Sequence, residues 1–458
     1  MTAIDWDAET KKCVQLLQDL LRIPTVNLGT REPGDGNERP AAERVAEFLR
    51  DAGVDSKIVE SDPGRASLIA RVRGNGEKPP ILLNAHLDVV EADASAWQHD
   101  PFCGDVIDGY VWGRGAIDMK HMAAMSACIM SLLAKGAHEG TLERDVIFTC
   151  VADEENGCEK GSIFLVENYA DEVRAEYTIG ELGGFSLHLL GRTFYPIQIA
   201  EKGLCWVRAT ATGNPGHGSM PIADSAVVVL AEGIAKLGRK RLPMHPVESV
   251  KNFVHGLANE LPQPQKSVLK KLTVPEVAGL ILDYLIKDAD QKRTFATLLS
   301  NTASPTVVRA GAKTNVIPGK ASVEIDGRTL PGQTESSFLA ELRDVMGDRV
   351  DLEVIRSLPP IETTPSTPMY DCLSHAVRKN DPLAVPLPFV IPGYTDAKAY
   401  ARLGTKYYGF APVKFDPTHE VAFSRMYHGH DERVPVSGLA WGMKTLFDAV
   451  TRFCVNSR

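Results

Sequence analysis

The sequence predicts an α/β domain interrupted by an inserted α+β domain. Three observations predict it. Over the first 200 residues, apolar runs of strand length alternate with helical stretches, the pattern of βαβ units and a parallel sheet. From Leu204 to Thr212 the pattern changes to a clean one-in, one-out alternation, and the earlier pattern resumes only near residue 358. With 458 residues the chain is also too long for one typical hydrophobic core. The expected boundaries are 1–203 with 358–458 for the first domain and 204–357 for the insert.

Taken in order, helices are expected over 8–22 and 40–52, the second opening near Pro40, where a missing N–H costs nothing. Strands follow at 55–60, 67–73 and 80–85. A small-residue helix over 122–135 stops at Gly136, a residue suited to a helix C-terminus. Further strands fall at 145–151, 176–180 and 194–200. In the insert, strand 204–212 leads through a Gly/Pro-rich loop to helix 224–238. Residues 241–304 carry Pro243, Pro246, Pro262, Pro264 and Pro275 and read as irregular, with one helix at 276–287. Strands 305–310 and 320–326, helix 335–346 and strand 350–356 complete the unit. A linker around 359–365 leads back to helix 367–379, the apolar run 384–391, helix 396–403, strand 405–410 and a last helix over 434–454.

Composition narrows the function. An apolar fraction of 44% and a charged fraction of 24% belong to ordinary globular protein. A net charge of −9 without any long Lys/Arg run argues against nucleic acid as a partner. The acidic start, followed by Leu16, Leu17, Leu20 and Leu21 at helical spacing, resembles neither a signal peptide nor a membrane span, so no membrane partner is expected. The eight cysteines include no Cys-x-x-Cys pair and read as buried thiols, which fits a reducing cytoplasm.

The chemistry concentrates between Ile81 and Ser162. Two apolar runs end in His86-Leu87-Asp88 and in Asp153-Glu154-Glu155, and a Gly-x-Gly turn (Gly113, Gly115) leads to Asp118. In open α/β sheets the ligand crevice lies beyond the carboxyl ends of the strands. His86, Asp88, Asp118, Glu154 and Glu155 are therefore expected at one sheet edge. An imidazole among carboxylates suits Zn, Mn or Co ions. His86 and Asp88 leave the same face of a strand, so Asp88 is placed to hold the second ring nitrogen of His86. Asp118 is suited to bridging two cations. Glu154 and Glu155, adjacent in an extended segment, point different ways, so one can bind metal while the other acts as general base toward water.

The run Trp97-Gln98-His99-Asp100-Pro101-Phe102, continued by Asp108-Gly109-Tyr110-Val111-Trp112-Gly113-Arg114-Gly115-Ala116-Ile117-Asp118-Met119-Lys120, resembles the signature of the M20 metallopeptidases. That family embraces aminoacylases, carboxypeptidases, acetylornithine deacetylase and succinyl-diaminopimelate desuccinylase. The resemblance implies a zinc-exopeptidase-like mixed sheet flanked by helices, with the insert as a lid and dimerisation domain. It implies two divalent metal ions, Zn first, with Co or Mn as alternatives. By resemblance the metal ligands are His86, Asp118, Glu155, Glu181 and His428, and the catalytic residues are Glu154 as base, Asp88 and His217. His419, His428 and His430 lie close together, and the family pattern through Asp431 and Glu432 selects His428. Asn315 and Arg328 match substrate-binding positions, and a cis peptide is expected at Asp118–Met119. The segment Gly393-Tyr394-Thr395-Asp396 precedes a helix, so it either offers free backbone N–H groups to the same substrate carboxylate or forms a plain structural turn.

Two departures stand out. Cys158 follows Gly157 where the family usually has a second glycine, and 241–304 is longer than in compact members, as in the aminoacylase and carboxypeptidase S branch. The implied activity is amide hydrolysis in a small substrate with a free carboxylate, an acyl-amino acid or peptide, by a cytoplasmic homodimer. Two rivals are aminopeptidase chemistry of the type without a lid, and an inactive binding protein on the same fold.

Overall fold

A computed structural model describes residues 4–30, 35–189, 191–417 and 423–456. The chain divides into two compact units. Unit 1 takes the described residues of Met1–Ile199, Thr363–Leu387 and Thr395–Arg458, and unit 2 takes Ala200–Glu362 with Pro388–Tyr394.

Unit 1 is built on a mixed sheet. Its strands lie in the order Ser56–Asp62, Arg65–Val72, Val146–Val151, Ile81–His86, Tyr177–Gly180, Lys406–Gly409 and Arg192–Glu201, the last running on into unit 2. The four strands from Val146–Val151 to Lys406–Gly409 are mutually parallel, and the flanking pairings are antiparallel. The three strands Ile81–His86, Val146–Val151 and Tyr177–Gly180 are buried along their whole length, as parallel strands covered on both faces require. His86 pairs in register with Val151, and Leu83 with Ile179. The residues that follow each strand therefore leave the sheet at one edge. The helix Lys120–Ala134 is rich in Ala, Met and Ser and is buried nearly all round. Gly136, at φ +66°, stands just past its end in the left-handed conformation that a non-glycine adopts only at a cost.

Unit 2 holds an antiparallel sheet in the order Thr302–Ala310, Lys320–Thr329, Gly203–Thr212 and Val350–Leu358. Alternate residues Cys205, Val207, Ala209 and Ala211 face a core shared with Val323, Ile325 and the helices Ala226–Arg239 and Glu335–Met346. Phe338 is fully buried and lies over Gly327, where a Cβ would come within 2.4 Å of its ring. The 241–304 segment differs from expectation. It forms the helices Glu248–Asn259, Gln265–Lys270, Pro275–Leu280 and Ala289–Leu299, with a π-type turn at Ile281–Leu285 where one continuous helix was expected. Pro275 opens its helix and Pro262 and Pro264 precede theirs, positions where the missing N–H removes no helical bond. Among the described residues no helix is long and apolar enough to cross a membrane.

Two helical glycines carry opposite expectations. A Cβ on Gly442, inside the helix Val436–Cys454, would sit 1.8 Å from the Pro412 carbonyl oxygen, whereas one on Gly238 would meet nothing within 4 Å. Helix propensity favours alanine at both by about 1 kcal/mol, but overpacking against backbone costs about 1–3 kcal/mol. In urea unfolding, Gly238→Ala should therefore gain stability and Gly442→Ala should lose it; a gain in both would show that the Pro412 segment yields freely.

Candidate metal centre

The sheet edge of unit 1 gathers the five residues expected there, together with Glu181 and His428. His86 is fully buried at the end of its strand, and its Nδ1 donates to the Asp88 carbonyl at 2.9 Å. Asp88 thus supplies the second-nitrogen partner through its backbone. A carbonyl only accepts, so in the neutral ring Nε2 carries the lone pair. That nitrogen faces Asp118 Oδ1 at 3.0 Å, Glu181 Oε2 at 3.8 Å and Glu154 Oε2 at 4.0 Å. Burial would lower the imidazole, but these contacts outweigh it and raise the ring well above its usual range. On the other side of Asp118, His428 Nε2 lies 3.0 Å from Oδ2 and 3.1 Å from Glu155 Oε2. Two groups of potential ligands, His86–Asp118–Glu181 and Asp118–Glu155–His428, therefore share the Asp118 carboxylate.

The Asp88 carboxylate has a separate task. It accepts from the backbone N–H of Glu154 and of Glu155, each at 3.1 Å, and from Asn27 Nδ2 at 2.8 Å. Glu154–Asn156 forms a tight 3-10 turn rather than the extended segment expected. Asp153 enters it at φ +64°, its Oδ1 held by Arg65 and Asn27 and its Oδ2 by the Lys160 amide. The turn still separates the two glutamates, with Glu154 toward His86 and Glu155 toward His428.

Asp118 is placed from the far end of the chain. The fully buried Glu432 carboxylate accepts from Arg114 Nη1 (2.7 Å) and from the backbone amides of Gly115 (3.0 Å), Ile117 (2.7 Å) and Asp118 (3.0 Å). The Asp118–Met119 peptide is cis, as the resemblance implied. A Cβ on Gly115, at φ +93°, would come within 2.9 Å of Val89, so the turn needs glycine there.

Electrostatics show strain that cations would relieve. Burial, then the Glu181 charge, pushes the Glu154 carboxyl well above its usual range, and burial with Asp118 lifts Glu155 to about 7. Burial raises Glu181 as well. Burial would also raise Asp118, but its contacts with His428 and His86 outweigh it and hold the carboxyl low. Contacts with Asp118 and Glu155 lift His428 to about 10. Glu155 Oε1 and Glu181 Oε1 are buried and accept no hydrogen bond among the described residues. Unsatisfied carboxylate oxygens beside two imidazoles are the donor set of a divalent cation, and the residues fit such ions.

Sequence reasoning passed over one member. Asp396 was expected only as backbone, at the opening of helix 396–403, yet its side chain is fully buried, accepts from Ser162 Oγ at 2.6 Å and Asn84 Nδ2 at 2.8 Å, and adds its charge to Glu154. Cys158 is buried, with Sγ 3.9 Å from the Glu154 carbonyl; burial and then Asp396 push its thiol well above the usual range, which keeps it an unreactive thiol. His430 is exposed, and His419 lies outside the described residues.

The remaining candidates belong to unit 2. His217 and Asn315 sit on adjoining backbone, His217 opposite Val316 and the Gly218 amide donating to the Asn315 carbonyl at 2.9 Å. The Ser219 amide donates to His217 Nδ1 at 3.2 Å, so in the neutral ring the proton is on Nε2, an exposed donor. Arg328 lies near Tyr394, the neighbour of Gly393, and a Cβ on Gly393 would meet nothing within 4 Å.

The model of Peptidase family M20/M25/M40 matches residues 82–452. The chain belongs to this family. It is 26% identical over 419 residues to the N-fatty-acyl-amino acid synthase/hydrolase PM20D1 of Xenopus tropicalis, spanning 89% of this chain and 80% of that protein. It is 29% identical over 431 residues to aminoacylase-1 of Sus scrofa, spanning 92% and 90%. Among solved structures, the M20 family metallo-carboxypeptidase Sso-CP2 from Sulfolobus solfataricus matches with a TM-score of 0.68 at 18% identity, over 97% of this chain and 99% of that one. This M20 chain is a hydrolase on a mixed α/β scaffold.

Glu432→Ala would leave three backbone amides and the buried Arg114 guanidinium without their acceptor. Breaking a buried pair from one side costs about 3–5 kcal/mol. Urea unfolding of this variant should show a loss of that size, and a loss below about 1 kcal/mol would remove Glu432 as the anchor of the Asp118 turn.

Proposed function

We propose that this M20 hydrolase is a two-cation amidohydrolase that cleaves an acyl group or a terminal residue from a small substrate with a free carboxylate. The observation that carries the reading is the pair of ligand groups sharing Asp118, one buried and one reaching the surface at His428, with Glu154 beside them. His86, Asp118 and Glu181 would hold one divalent ion, and Asp118, Glu155 and His428 the other, with Zn favoured by the imidazole–carboxylate set and Co or Mn as alternatives. Such ions, when bound, polarise an amide carbonyl and acidify water.

The chain's own residues do the rest. Glu154 accepts the proton of the attacking water and delivers it to the departing amine, and burial raises its carboxyl above the usual range. Asp88 keeps Glu154 in place by holding its backbone and fixes the tautomer of His86. The Nε2–H of His217 donates to the oxyanion, a type of contact worth about 3–4 kcal/mol when removed. Arg328 takes the substrate carboxylate as a fork, and Asn315 and the open backbone at Gly393 complete the grip. The names of the relatives, aminoacylase-1 and an N-fatty-acyl-amino acid synthase/hydrolase, support an acyl-amino acid as substrate. Unit 2 acts as lid and homodimer contact in this reading, supported by its resemblance to the family's inserted domain. The eight free thiols support a reducing cytoplasm.

Glu154→Gln should retain cation binding and lose about 10²- to 10⁴-fold in turnover on N-acyl amino acids and dipeptides, the range for a lost acid–base group. Full activity in that variant would remove Glu154 from the role. Calorimetric titration of metal-stripped protein with Zn or Co should give two sites. Only the ionised carboxylate and the neutral imidazole bind a cation, and Glu155 ionises at about 7 while His428 gives up its proton at about 10, so affinity should fall by about tenfold per unit below pH 10 and more steeply below 7. An affinity unchanged down to pH 5 would exclude Glu155 as a ligand.

A further inference from the structure

The outer face of the unit 2 sheet carries a connected set of side chains around Arg328. Asp326 and Arg328 are two apart on the strand Lys320–Thr329, so both leave the face opposite the core that holds Val323 and Ile325. Asp326 accepts from Arg328 Nε at 2.8 Å and from Nη2 at 3.2 Å. Trp206 stands directly opposite Asp326 in the ladder and donates its Nε1–H to Asp326 Oδ1 at 3.0 Å. The Tyr394 ring centre lies 5.8 Å from the guanidinium carbon. The pair is largely shielded, with side-chain exposures of 20% for Arg328 and 35% for Asp326.

A guanidinium carries five N–H groups on rigid edges. Asp326 occupies the edge made by Nε and one Nη2 hydrogen. The end formed by Nη1 and the second Nη2 hydrogen is left over, and Nη1 makes no hydrogen bond among the described residues. That end is the edge that grips a second carboxylate with two parallel bonds. Left alone, an arginine side chain samples many rotamers, and a misplacement of one ångström in a binding group is costly.

We propose that Asp326, steadied by Trp206, is the positioning residue that aims the free end of the Arg328 guanidinium at the substrate carboxylate and so sets the preference for substrates that carry one. The inference rests on the assignment of Arg328 to the substrate carboxylate made above. Asp326 touches no substrate atom in this scheme. It acts by closing one edge of Arg328 and so leaving one direction for the incoming anion.

The test compares the most rapidly cleaved member of a panel (N-acetyl-methionine, N-dodecanoyl-leucine, Ala-Leu) with the same compound bearing a carboxamide in place of its carboxylate. Asp326→Asn should raise KM for the carboxylate form by about 10- to 100-fold, leave kcat within about threefold and barely move KM for the carboxamide. Trp206→Phe should shift KM the same way by about two- to fivefold, the effect of losing one supporting hydrogen bond. Arg328→Met serves as reference. If it raises KM for the carboxylate form selectively while Asp326→Asn and Trp206→Phe do not, the positioning role is overturned and the Arg328 assignment stands. If Arg328→Met itself shows no selective effect, both fall. An equal loss on both substrates in Asp326→Asn would mark Asp326 as merely structural and also overturn the proposal.

Discussion

Like charges forced together in a buried place constrain everything else in unit 1. Asp88, Asp118, Glu154 and Glu181 are nearly inaccessible, and Glu155 packs against the same ring of atoms. Each unpaired buried ion costs several kcal/mol, so such a cluster persists only if protons or cations offset it. The two imidazoles, His86 and His428, offset part of it, which is why His428 is pushed up to about 10. The remainder is held as raised carboxyl pKa values at Glu154, Glu155 and Glu181. Divalent cations would remove that strain, and the same charge that costs stability without them would bind them tightly.

The scaffold answers this constraint by fixing each carboxylate from behind. Asp88 holds the amides of the glutamate turn, Glu432 holds the amides of the Asp118 turn, and the Asp88 carbonyl holds the His86 ring. The two carboxylate supports are not local. Asp88 and Glu154 are joined because parallel strands end at a common edge, and Glu432 reaches Asp118 across more than 300 residues of sequence. A group held this way has few other positions to adopt, so the geometry exists before any ligand arrives.

Much of this was legible in the chain. The largely apolar strands ending at His86 and Val151 announced a parallel sheet, and parallel sheets collect functional groups at their carboxyl ends. The M20 signature supplied Glu181 and His428, which periodicity could not have found. Three things were not legible. Asp396 lacks any neighbouring motif, because its burial arises from packing of Ser162 and Asn84, which are remote in sequence. The turn at Glu154 depends on Asp153 adopting a positive φ, a choice enforced by Arg65 and Asn27 rather than by local preference. The helices of 241–304 were hidden by prolines that mark their starts rather than forbid them.

The central claim is that Asp118 stands between two divalent cations, and crystallography tests it most directly. Crystals grown with Zn or Co should show two anomalous-scattering peaks, one against His86, Asp118 and Glu181, the other against Asp118, Glu155 and His428. A fully loaded crystal with one peak, or with peaks that Asp118 does not touch, would contradict the account.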